Sequence, residues 1–270
     1  MTTRSPLPAH TAAPTGAPSD APGGGPPAIA LAGVHKAFDG NQVLRGVDLI
    51  VRPGEALTII GGSGTGKSVL LRLIIGLMKP ETGQIFVEGK DIVPLRETAL
   101  LQIRRRTGMV FQGSALFDSL SVGENVAFAL REHTTLNDAE IAARVHEALG
   151  LVGLGSIEAM DPADLSGGMK KRVAVARAIA LPPSILLYDE PTTGLDPTNV
   201  EKITDLIIEL KTKLGVTSVV VTHDMASALK VSDRVAMLHL GRIAAVGTPE
   251  EIQRTHDSVI RDFMEGRLEH

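Results

Sequence analysis

Ala56-Leu57-Thr58-Ile59-Ile60-Gly61-Gly62-Ser63-Gly64-Thr65-Gly66-Lys67-Ser68 is the stretch on which the fold turns. Its first five residues form an apolar run of strand length, suited to a strand buried on both faces. The next eight match the phosphate loop G-x-x-x-x-G-K-[ST]. Ser68 to Leu77 then reads as a helix, ended near Lys79-Pro80. Small residues let backbone N–H groups close around phosphate oxygens, and a helix N-terminus adds the positive end of its dipole. In such a loop Lys67 supplies charge at the β- and γ-phosphates, and Ser68 offers a hydroxyl to Mg²⁺. A flexible glycine turn would account for the glycines alone. It would not account for an apolar strand before them and a helix directly after.

Working outward, Ile29-Ala30-Leu31 and Val43 to Val51 show the short alternations of half-buried strands, with Pro53-Gly54 as a turn. Between about Gln112 and Leu165 the period becomes helical. Asp138 to Leu149 is its clearest piece, with Ile141, Val145 and Leu149 on one face and Asn137 or Asp138 as cap. Strands and helices then alternate: strand Ile185 to Tyr188, helix Val200 to Leu214, strand Ser218 to Val221, helix Met225 to Val231. Val235 to Leu238 and Arg242 to Val246 read as a hairpin turning at Gly241. This alternation indicates an α/β core with a mostly parallel sheet and an inserted helical segment. Residues 1–27 hold seven of the sixteen prolines among Ala, Gly, Thr and Ser, and read as a disordered leader.

Composition closes several routes. With no cysteine, disulfides, thiolate metal sites and cysteine nucleophiles are excluded. A net charge of −4 argues against a nucleic-acid partner held by phosphate contacts. Lys170-Lys171-Arg172 and Arg104-Arg105-Arg106 are not interleaved with aromatics and read as solvated faces beside nucleotide and partner surfaces. No apolar run reaches the roughly 18 to 20 residues of a membrane span, so any membrane association must come through a partner.

Ile185-Leu186-Leu187-Tyr188-Asp189-Glu190 is an apolar run ending in two carboxylates. Most such pairs are solvated strand ends. Downstream of a phosphate loop, Asp189 becomes a candidate for the Mg²⁺ shell and Glu190 for the base that activates water. Between the two motifs lies Leu165-Ser166-Gly167-Gly168-Met169, which resembles the signature LSGGQ of the ATP-binding-cassette (ABC) superfamily, with Met in the fifth place. The resemblance covers roughly Ile29 to Thr248.

It implies a P-loop NTPase (RecA-like) α/β core with an antiparallel β subdomain and an inserted α-helical subdomain at about 113–165. The ATPase domain would occupy residues 28–265 and a short tail 266–270. It implies ATP and Mg²⁺ as cofactors, and a second copy of the chain as partner in a head-to-tail nucleotide sandwich. Ser166, Gly167 and Gly168 would then cap the γ-phosphate held by the opposite copy. By the same resemblance Phe38 stacks on adenine, Gln112 senses Mg²⁺ and couples to a permease, Asp196 lies at the dimer seam, and His223 contacts the γ-phosphate.

Phe111 to Thr134, above all Leu130-Arg131-Glu132-His133-Thr134, and the Met-ended signature are similar to the Mla/Mce-type cassette subunits. That similarity implies phospholipid trafficking between the inner and outer membranes. It also implies integral-membrane permeases and an Mce-type substrate-binding protein as partners, and a peripheral place on the cytoplasmic face of the inner membrane. Leu116, Phe117 and Leu120 are candidates for the permease contact. The competing readings are an ABC ATPase that clamps without transport, and an importer cassette for another small substrate.

Overall fold

The computed structural model describes residues 25–265 and 267. Most of the expected leader and tail therefore lies outside the described residues. Two sheets form the frame. The first is antiparallel and carries β1 (Ile29–Phe38), β2 (Asn41–Val51), β4 (Thr82–Val87) and β5 (Lys90–Asp91) in the order β2-β1-β4-β5. The second has the order β10-β9-β3-β8-β7-β6. Its members are β3 (Ala56–Ile60), β6 (Thr107–Val110), β7 (Ile185–Asp189), β8 (Thr217–Thr222), β9 (Arg234–His239) and β10 (Arg242–Gly247). All neighbours in it are parallel except the β9–β10 hairpin.

The central strands are buried along their whole length, which is why they read as unbroken apolar runs. Their two faces feed different cores. Leu187, Val219 and Val221 pack with Leu70, Leu71, Leu73 and Ile74 of α1 (Lys67–Ile74). Leu186, Tyr188 and Val220 pack on the other side with α5 (Gly167–Ala180) and α6 (Pro197–Leu214). The twofold period of a strand thus divides one apolar run between two helical layers.

The remaining helices are α2 (Glu97–Arg105), α3 (Val122–His133), α4 (Asp138–Leu151), α7 (Met225–Val231), α8 (Pro249–Arg254) and α9 (Ser258–Met264). Capping boxes at Ser121/Glu124 and Asn137/Glu140 start α3 and α4, which settles the α4 cap as Asn137. The apolar stripe of α4, Ile141, Val145 and Leu149, packs with Val126 and Leu130 of α3 and with α5.

Three expectations are corrected. The helix after the phosphate loop stops at Ile74 rather than Leu77, because Gly76 adopts φ +69° and Arg104 caps the end. Its guanidinium donates to the carbonyls of Ile75 at 3.2 Å and Gly76 at 2.8 Å. Arg104 is therefore a structural clamp, not part of a solvated face. Lys171 is likewise buried, with 6% of its surface exposed. Finally, β1 runs on to Phe38, through register shifts around Gly33 (φ +56°) that break its alternation after Leu31.

Candidate nucleotide site

The phosphate loop leaves β3 and enters α1 with geometry only these residues allow. A Cβ on Gly61 would lie 2.5 Å from the carbonyl oxygen of Leu238, so β9 approaches too closely for any side chain. Gly66 sits at φ +102° and precedes α1 without a side-chain cap, which leaves the first-turn N–H groups of the helix free for an anion. Thr65 Oγ1 donates to the carbonyl of Gly62 at 2.9 Å and ties the loop on itself. Lys67 Nζ donates to the carbonyls of Gly61 (2.8 Å) and Gly62 (2.9 Å) and lies 3.6 Å from Glu190 Oε1. Burial holds the Lys67 ammonium below the ordinary lysine pKa, and the carboxylates of Glu190 and Asp189 pull it back up.

The carboxylates converge from the C-terminal end of β7. Ser68 Oγ donates to Asp189 Oδ1 at 2.7 Å, which places two hard oxygen donors together as Mg²⁺ requires. Among the described residues no cluster of three or more His, Asp or Glu side chains could hold a metal alone. Mg²⁺ suits this pair, since it keeps waters and phosphate oxygens in its shell. Glu190 is 7% exposed and stands at φ +48°, a conformation a non-glycine residue keeps only when its surroundings fix it. Its Oε2 accepts from Thr193 Oγ1 at 3.0 Å and lies 2.9 Å from His223 Nδ1. His223 follows β8 and is more than half exposed, free to meet a ligand.

Lys67, Glu190 and His223 line a cleft of about 850 Å³ together with Phe38, Val43, Gly62, Ser63, Gly64, Gly66, Ser68 and Gln112, whereas Gly61, Thr65 and Asp189 stand behind its wall. Phe38 is 39% exposed at its rim, with Lys36 Nζ 5.2 Å from the ring centroid. Ser166, Gly167, Gly168 and Asp196 do not line it. They sit together elsewhere. Ser166 caps α5 and Asp196 caps α6. A Cβ on Gly168 would meet Asn199 Oδ1 at 2.7 Å, and Asn199 donates to Asp196 Oδ2 at 2.6 Å. One chain thus presents a phosphate-binding cleft and, apart from it, a second Ser-Gly-Gly helix start.

Sequence reasoning missed Thr193, Lys171, Phe263 and Met264. The last two reach the cleft from α9. Thr193 carries a local signal, a hydroxyl three residues beyond a carboxylate in a turn. Of the three permease-contact candidates, Leu116 packs on the helical-segment core and Leu120 is half-buried. Phe117 is 45% exposed, its ring centroid 4.9 Å from that of Phe128, itself 43% exposed.

A phosphate loop, a hydroxyl–carboxylate pair beside it and a buried glutamate next to a histidine define a nucleoside-triphosphate hydrolase site. The ABC transporter family profile matches residues 44–193, and the chain belongs to that family as an ATP-hydrolysing, ATP-binding subunit with a P-loop NTPase fold. It is 40% identical over 240 residues to the probable ribonucleotide transport ATP-binding protein mkl of Mycobacterium leprae, covering 89% of this chain and 69% of that one. It is 46% identical to the methionine import ATP-binding protein MetN of Caulobacter vibrioides, over 80% of this chain and 65% of that one. To the intermembrane phospholipid transport system ATP-binding protein MlaF of Haemophilus influenzae it is 41% identical, over 82% and 83% respectively. Among solved structures it matches a dimeric, post-hydrolysis ATP-binding cassette bound to ADP and Pi, with a TM-score of 0.76 and 34% identity over 82% of this chain and 98% of that one.

Proposed function

We propose that this chain drives phospholipid transport between membranes, working as one half of a head-to-tail dimer that clamps two ATP molecules. The observation that carries the ATP chemistry is the meeting of Lys67, Ser68, Glu190 and His223 at one cleft, with Asp189 bonded to Ser68 behind it, while Ser166 to Gly168 stand apart from it. A second copy rotated by a twofold axis supplies that missing helix start to each γ-phosphate. Binding energy then closes the dimer and hydrolysis reopens it, through differential affinity for the two states.

In each site the phosphate-loop amides and Lys67 hold the triphosphate, and Phe38 takes the adenine. Glu190 orients and deprotonates the attacking water, with His223 and Gln112 completing the contacts around the γ-phosphate. Ser68, Asp189 and Gln112 would hold Mg²⁺, which would supply charge neutralisation at the phosphates. The exposed Phe117–Phe128 pair offers an apolar seat for a membrane-embedded permease, through which the chain would reach the cytoplasmic face of the inner membrane. Among the described residues no helix is long and apolar enough to cross a membrane by itself.

The phospholipid cargo is supported by similarity to MlaF over more than four-fifths of both chains, and by the Leu130 to Thr134 run with its Met169-ended signature. The higher identity to MetN supports a second reading, an importer cassette for a small solute. Expressing the tagged chain with its genomic neighbours and extracting in detergent separates them. Phospholipid bound to a complex that contains an Mce-type protein, with lipid-stimulated ATPase activity, is the expected result. A complex stimulated by a soluble solute-binding protein would establish the importer instead.

A further inference from the structure

Lys171 lies in the second turn of α5, and the fold takes it out of solvent. Its Nζ donates to the carbonyl oxygen of Gln112 at 2.5 Å and to that of Glu190 at 3.2 Å. Those two carbonyls belong to segments leaving the adjacent parallel strands β6 and β7. An ammonium buried against two neutral acceptors, with no carboxylate within ion-pair distance among the described residues, is costly. Methionine would fill the same space without desolvating a charge. The geometry around Glu190 shows what the charge is kept for. Its amide donates to the carbonyl of Val221 at 2.9 Å, so β8 fixes one side of the residue and Lys171 the other. Between the two anchors the backbone is held at φ +48°, and from there the side chain reaches Thr193 and His223.

We propose that Lys171 is a positioning residue for ATP hydrolysis, holding the backbones of Glu190 and Gln112 in one frame with the helix that begins at Ser166. This rests on Glu190 as the water-activating base. Lys171 does not line the cleft and acts through the aim of that carboxylate. A displacement on the order of an ångström at a reacting group can cost about a hundredfold in rate. The same side chain joins α5 to the site of its own chain, so a movement of the helix start is felt at Glu190.

The test uses the full chain, with steady-state ATPase assays, titration with a fluorescent ATP analogue, and thermal unfolding. Lys171→Met should lower kcat by about tenfold or more and leave KM and nucleotide Kd within about twofold. Lys171→Arg, which retains charge and donors, should recover to within about threefold of the unmodified rate. An unchanged kcat in Lys171→Met, an equal loss in nucleotide affinity, or an arginine variant no better than the methionine variant would overturn the proposal. If Lys171→Met shows no cooperative unfolding, Lys171→Gln takes its place and must fall below Lys171→Arg in kcat at equal KM; parity overturns the proposal. Glu190→Gln is run in parallel. If it is inactive while Lys171→Met is unimpaired, only the positioning role fails; if it retains the full rate, both assignments fail.

Discussion

The hydroxyl of Ser68 donates to Oδ1 of Asp189 at 2.7 Å, joining the first turn of α1 to the end of β7. Asp189 is 3% exposed, and one of its oxygens faces a serine placed by the phosphate loop. Asp189→Asn keeps the shape and the hydrogen-bonding capacity but removes the anionic oxygen that a hard cation prefers. ATP turnover should fall by about a hundredfold or more, and the Mg²⁺ concentration for half-maximal activity should rise. Magnesium titration of ATPase activity measures both; an unchanged midpoint would free Asp189 from the metal shell.

Glycines in this chain differ in what they protect. Gly61→Ala drives a methyl group to 2.5 Å from the backbone oxygen of Leu238, which cannot retreat without moving β9. The expected cost is about 1–3 kcal/mol of stability. ATP affinity should also drop by about tenfold or more, because the displaced loop no longer aims its amides. Gly150, inside α4, has open space where a Cβ would go. Gly150→Ala should stabilise the fold by about 0.5–1 kcal/mol with unaltered turnover. Denaturant unfolding of the two variants gives opposite signs if this reading holds.

Buried Glu55 and part-buried Arg234 form a two-pronged ion pair, and Arg234 also donates to the carbonyl of Ile50 at 2.7 Å. Glu55 in turn accepts from the Arg52 amide at 2.6 Å. The pair stitches the end of β2 to the starts of β3 and β9. Arg234→Met strands a buried carboxylate and should cost about 3–5 kcal/mol, whereas removing both charges should cost less than the sum of the single changes. A double-mutant cycle in urea tests this.

Glu124 closes the capping box of α3: its own amide donates to the Ser121 hydroxyl, and the Ser121 amide donating to Oε2, with the Ser121 side chain beside it, holds its carboxyl below the ordinary glutamate pKa. The folded chain therefore binds this proton more weakly than the unfolded one. The stabilisation is fully present above the ordinary value of 4.5 and is lost as pH falls through the lowered one. Glu124→Gln keeps a capping side chain without the charge. The thermal midpoint of the original chain should exceed that of the variant near neutrality, with the gap closing below pH 4.5. A gap that stays constant through the acid range would remove this assignment.

Much of the frame could be read before any coordinates, because the decisive segments announce themselves locally. The buried strands β3, β7 and β8 are apolar throughout, and the phosphate loop, Asp189-Glu190 and the start of α5 are contiguous in sequence. What escaped depends on distant partners. The pairing of β1 with β2 and β4 carries its strand past Gly33, where the alternation fails. The end of α1 is set by Arg104, nearly thirty residues away. Lys171 looks like one charge in a basic run, and only the return of the chain through Gln112 and Glu190 buries it. The contribution of Phe263 and Met264 to the cleft requires α8 and α9 to fold back against β9 and β10, which no short-range pattern encodes.

The six-stranded sheet leaves its reacting groups at the ends of β3, β6, β7 and β8, whereas the exposed Phe117–Phe128 pair belongs to the neighbourhood of α3. With that pair as the proposed permease seat, motor and coupling would be separate inheritances within one polypeptide. The surface near α3 can drift until it suits a different membrane partner without disturbing a single phosphate contact. On that proposal, family members named for methionine, ribonucleotides and phospholipid would share one engine and differ in the surface around those two rings.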